Sequence, residues 1–116
     1  MKKTLRMLVT VALVAGGLQV VAPPAGAVWM SMSYCGFEAS YPYPQAKTSS
    51  VHCTKAQPRI VYRSAGGTIG YAAGTLKSGS STSPSVLSPL TVVRVEARGY
   101  YEVPGFTETS GWMRFA

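Results

Sequence analysis

Aspartate and asparagine are missing from this chain altogether, histidine occurs once (His52), and glutamate occurs four times (Glu38, Glu96, Glu102 and Glu108). Each shortage excludes something. Without asparagine there is no acceptor for an N-linked glycan. A calcium loop needs several oxygen side chains at close spacing, which four dispersed glutamates do not supply. A zinc centre needs three or four histidine, cysteine or acidic ligands. One histidine and two cysteines (Cys35 and Cys53) fall short of that, so no metal and no other cofactor is expected. A Ser-His-acid triad would have only His52 as base and only a glutamate to orient it. The strand-turn-helix setting of Gly-x-Ser-x-Gly is absent too. The composition points away from an enzyme, and an envelope-active hydrolase built on His52 ranks last among the readings.

Long hydrophobic runs are also scarce. The one present, Met7 to Ala22, follows Lys2, Lys3 and Arg6 and precedes Pro23-Pro24-Ala25-Gly26-Ala27. Charged, apolar and small-residue regions in that order are a secretory signal, with cleavage expected after Ala27. Gly16, Gly17 and Gln19 interrupt the run, and a membrane anchor wants about 20 apolar residues. No stable membrane insertion is therefore expected after cleavage, and the destination is extracellular. There is no cysteine at the cleavage point for a lipid anchor and no Arg-Arg pair for the twin-arginine route.

Cleavage would leave a single domain, residues 28–116, with one modest core. Three of the eleven basic residues leave with the signal, so eight face four glutamates and the net charge falls to +4. Those eight are Lys47, Lys55, Arg59, Arg63, Lys77, Arg94, Arg98 and Arg114. Along the chain they form no basic stripe, and no nucleic-acid partner is expected. A mild attraction to anionic cell-envelope polymers is the most this charge implies.

No segment of the domain has helical periodicity. Short β-rich runs alternate with Gly, Pro and Ser clusters, which predicts an all-β fold, a small β-sandwich or open barrel. Strands are expected over 28–35, 51–54, 59–63, 68–76, 90–103 and 111–115. In the clearest one, Val93, Val95 and Ala97 should face a core and Arg94, Glu96 and Arg98 water. Gly99 should mark a bulge or bend. Gly66, Gly70 and Gly74 read as places where a sheet bends. The tract 77–89 has six serines, two prolines and one charge, and reads as a polar solvent loop.

Two cysteines in a secreted domain predict one disulfide, Cys35 to Cys53. The rival, a thiol activated by His52, fails on direction, because neighbours on a strand point to opposite faces. Between the cysteines lies Tyr41-Pro42-Tyr43-Pro44, expected to be extended because residues before proline avoid the helical region. A loop with both ends held could present Tyr41 and Tyr43 to a partner at reduced entropic cost. Tyr100, Tyr101 and Trp112 are the other candidate partner-binding aromatics, since such side chains are favoured at interfaces.

Three stretches, SYPYPQAKTSSV (40–51), AGGTIGYAAGT (65–75) and ARGYYE (97–102), together with the signal, resemble the lactococcin 972-type secreted bacteriocins. That resemblance implies a small β-sandwich acting at the bacterial envelope. It covers under half of residues 28–116. The Gly-Gly-x-Trp opening and the histidines after the tyrosine-rich stretch are absent, while the cysteines and the tail from Val103 are extra. No functional residue is carried over from it. The expectation is a secreted, non-enzymatic module that binds another secreted or cell-surface protein, as a subunit, adaptor or inhibitor. The alternative is a small antibacterial toxin acting at the envelope. An uncovered first or last strand could also pair with a partner's sheet.

Overall fold

The computed structural model describes residues 26–116; residues 1–25, which carry most of the expected signal peptide, lie outside the described residues. The described residues form nine strands and no helix: β1 Val28–Ser31, β2 Gly36–Ser40, β3 Lys47–Ser49, β4 Lys55–Arg63, β5 Ile69–Ala73, β6 Ser80–Thr82, β7 Thr91–Val103, β8 Phe106–Thr109 and β9 Met113–Arg114. They make two antiparallel sheets. One has the order β1-β2-β3-β6; the other has the order β5-β4-β7-β8, with β9 also paired to β7. The fold is an open two-sheet sandwich, not a closed barrel.

Alternation along each strand decides what is buried. The four-stranded sheet turns Met30, Phe37, Ala39, Thr48 and Ser81 inward, and the five-stranded sheet turns Ala56, Ile60, Val95 and Ala97 inward. One apolar cluster gathers Met30, Phe37, Ala39, Ala56 and Ala97 around Cys35 and Cys53, whose disulfide is formed. The thioether of Met32 lies against both of its sulfurs, at 3.6 and 3.7 Å. A second cluster joins Ile60 and Val95 to Ala46 and Val86, with Tyr41, Tyr62 and Val92 packed on it.

Several local expectations are corrected. The first strand stops at Ser31, and the chain turns through Met32 to Cys35. Residues 51–54 form a tight turn before β4, closed by the Cys53 amide on the Ser50 carbonyl at 2.7 Å. The tract 77–89 is only partly a solvent loop. It contains β6, buries Ser81, Ser83 and Val86, and binds the core edge through the Ser83 amide on the Ala46 carbonyl. Serine patterning hides this, because each buried hydroxyl is satisfied locally: Ser81 donates to the Thr75 carbonyl at 2.6 Å and Ser83 to that of Pro84 at 2.9 Å.

The bulge in β7 lies at Val93, not Gly99. Val61 pairs with Arg94 and Tyr62 with Val92, so Val93 is the extra residue. This moves Val92, not Val93, onto the core face with Val95. At Gly99 the ladder to Ala56 runs through unbroken. Glycine is required there by close approach, since a Cβ would lie 2.5 Å from Met32 Sδ and 2.7 Å from the Phe37 ring.

Candidate functional site

β4 and β7 lie side by side in antiparallel register, and this pairing sorts the charges. Lys55, Gln57, Arg59, Val61 and Arg63 alternate outward on β4; Arg94, Glu96, Arg98 and Tyr100 do so on β7. Residues directly opposite one another share a face. Lys55 therefore stands beside Tyr100, Gln57 beside Arg98, Arg59 beside Glu96, and Glu96 again beside Arg114 of β9. Six of the eight basic residues of the domain occupy this one face. Against them stand Glu96 in the middle and Glu102 at the far end, so the face carries the domain's whole net charge of +4. The remaining Lys47 and Lys77 are offset by Glu38 and Glu108. The expectation of no basic stripe is thus overturned. Charges scattered along the chain become neighbours because period-two alternation on two strands is brought into register.

Aromatic rings brace the arginines. The Arg59 guanidinium is 4.6 Å from the centre of the Tyr71 ring and 4.1 Å from that of Trp112; Arg98 lies 4.7 Å from the Trp112 ring. Tyr71, Arg59, Trp112 and Arg98 form a ladder of planar groups across three strands. Stacking of this kind contributes about 0.5–2 kcal/mol per cation and limits guanidinium motion. Glu96 ties the ladder together, accepting a hydrogen bond from Arg59 Nε at 2.7 Å and one from Arg94 Nε at 2.8 Å. Burial alone would push the Glu96 carboxyl up, but hydrogen bonds from Arg94 and Arg59 and the two positive charges hold it below its ordinary 4.5. Arg98 donates from Nε to the Gln57 side-chain oxygen at 2.8 Å, and Lys55 sits 5.8 Å over the Tyr100 ring. Under this layer Val61 is fully buried although it points away from the sandwich interior, between Tyr71 and Arg94. A guanidinium has five N–H donors, more than these bonds use, and its fork geometry suits carboxylate or phosphate.

The aromatics singled out from the sequence do not come together. Trp112 and Tyr100 are on the basic face. Tyr101 turns to the other side of β7, packs on the disulfide cluster and stacks with Tyr34 at 6.3 Å; Phe106 caps Tyr34 at 4.9 Å. Tyr41 and Tyr43 meet edge to face at 6.1 Å in the β2–β3 connection. Tyr41 leans on the second core cluster while Tyr43 is 63% exposed. That segment is not extended. Gln45 donates to the Pro42 carbonyl and the chain reverses, since proline's restriction on its predecessor excludes helix but not a turn. His52 is exposed, 5.9 Å from the Trp29 ring. Among the described residues no three metal-ligating side chains converge. Arg59, Arg94, Arg98 and Tyr71 were missed as site residues. Their signal was basic residues at even spacing in KAQPRIVYR and RVEAR, legible only once those strands are known to be neighbours.

No family model matches this chain, and neither the curated proteins nor the solved structures contain a match.

Proposed function

We propose that the domain is a secreted, non-enzymatic binding module that works through the outer face of its five-stranded sheet, and that its partner there is an acidic protein surface. The observation that carries this reading is the gathering of the domain's entire net positive charge onto one face whose arginines are braced by Tyr71 and Trp112. A flat, pre-organised array of this kind fits a complementary macromolecular surface, where charge sets orientation and on-rate. Arginine, tyrosine and tryptophan are the side chains in which interface energy concentrates. A disulfide-closed sandwich with no helix long and apolar enough to cross a membrane among the described residues is compatible with an extracellular setting.

The test replaces the three exposed cations at the rim of the array, Lys55→Gln, Arg63→Gln and Arg114→Gln, which leaves the stacked centre untouched. Poly-L-glutamate serves as the acidic polypeptide probe. Each exposed pair is worth about 0.5 kcal/mol, so the triple variant should bind about tenfold more weakly at low salt with an unchanged melting temperature. Equal affinity of the two proteins would refute the reading. Toxin action at the envelope is the second reading, favoured by the same charge. Tighter binding to purified anionic wall polymer than to polyglutamate, with growth inhibition of related bacteria, would decide for it.

A further inference from the structure

β5 lies at the outer edge of the five-stranded sheet, and among the described residues no strand pairs with its second side. The ladder to β4 shows which backbone groups that side exposes. The Gly74 amide donates to the Pro58 carbonyl at 2.9 Å and the Ser64 amide to that of Thr68 at 2.8 Å. Hydrogen-bonded and open pairs alternate along an antiparallel ladder, so Gly70 and Ala72 bond inward to Tyr62 and Ile60. Ile69, Tyr71 and Ala73 turn their N–H and C=O groups to the free side. The same three residues carry their side chains on the basic face, and all three are exposed.

Natural edge strands are shielded by charge, proline, a bulge or a cover. β5 has none of the first three: Ile69-Gly70-Tyr71-Ala72-Ala73 is uncharged and proline-free, and its register to β4 is continuous. We infer that this edge accepts an extended acidic segment of the partner protein as an added antiparallel strand. The inference rests on the proposed binding face and supplies its mode of engagement. Acidic residues of the added strand opposite Ile69, Tyr71 and Ala73 would lie on the basic face. Arg59 and Arg63 stand two strand spacings inward, about 9.5 Å, which long side chains on both partners span across Ala73 for Arg59 and across Ile69 for Arg63. Alternate residues would fall beside Gly70, which the Tyr62 ring covers, and beside Ala72 at the edge of the second core cluster, so apolar side chains there would extend an apolar surface. The charge also argues against a second copy of this chain at the edge. Two copies pairing through β5 would set two faces of +4 side by side.

The probe is a short synthetic peptide alternating glutamate and valine, with a second version N-methylated at its glutamates so that it cannot donate along the pairing edge. Binding is measured by titration calorimetry, with backbone NMR shifts to place the contact. The plain peptide should bind the wild type and shift Ile69, Tyr71 and Ala73, and the methylated one should bind about tenfold more weakly. Ala73→Pro removes only an outward N–H and should weaken the plain peptide similarly, while Ala73→Ser should not. Should Ala73→Pro lose its fold, the methylated peptide on the wild type still decides. If both peptides bind the wild type alike, or polyglutamate binds and the plain peptide does not, strand addition is wrong while the basic-face reading stands. If no acidic probe binds, both fall. If sedimentation shows a wild-type dimer that Ala73→Pro abolishes, the edge belongs to a second copy and the acidic-segment occupant is overturned.

Discussion

Thr48 shows how a single side chain can sit at odds with its surroundings. It lies in the inward row with Ala39 and Ser81, is 3% exposed, and its hydroxyl has no hydrogen-bond partner among the described residues. An unpartnered buried hydroxyl costs about 1–3 kcal/mol, and valine has nearly the same shape without that cost. Thr48→Val should therefore raise stability by about 1 kcal/mol in urea unfolding, with the slope unchanged. Arg59 is the opposite case. Its guanidinium is hydrogen-bonded to Glu96 and stacked by two rings, although only its alternation within KAQPRIVYR is visible in the sequence. A residue's partners across strands depend on register, and no local pattern reports them.

At the scale of elements, β7 organises the molecule. It is the longest strand, is paired with β4, β8 and β9, and carries a core face and a charged face at once. Its alternation was legible from Arg94 to Arg98 and failed at Val93, because a one-residue bulge reverses every orientation beyond it. Glu96, on its outer face, should make stability depend on pH. Its folded carboxyl titrates below its ordinary 4.5, so the contribution is complete above that value and is lost as pH falls through the lower folded value. Glu96→Gln should lower stability at neutral pH by about 2 kcal/mol, the scale of a pair of charge-assisted hydrogen bonds. It should also flatten the loss of stability as pH falls below 4.5. Denaturant midpoints of both proteins across that range check the point. Short strands such as β3 and β6 were not legible, because Lys-Thr-Ser and Ser-Ser-Thr carry no apolar alternation and are strands only through their pairing with each other and with β2.

For the whole molecule the disulfide matters most. It joins residues 18 apart in the chain and sits inside one of two small apolar clusters, several of whose members are alanines. Closing such a loop contributes about 3 kcal/mol in the chain-entropy description. That is a large share of the 5–15 kcal/mol typical of domains. Cys35→Ala with Cys53→Ala should therefore lower the unfolding free energy by about 3 kcal/mol, read as a fall in the urea midpoint equal to that loss divided by the slope. It should leave the far-ultraviolet spectrum of folded protein unchanged, since the strands on both sides are otherwise paired.

By itself the sequence determined the fold class, the disulfide and the poverty of catalytic groups. These follow from local alternation, turn chemistry and residue counts, none of which needs a neighbour. It also showed that residues 35–53 are closed into a loop, but not that the tyrosines inside it reverse direction there. Only the tertiary structure decided that six of the eight basic residues dispersed over 28–116 gather on one charged face. The sign and size of the net charge are sums over residues; its location depends on which strands pair, in what register, and on which side of a bulge each side chain emerges.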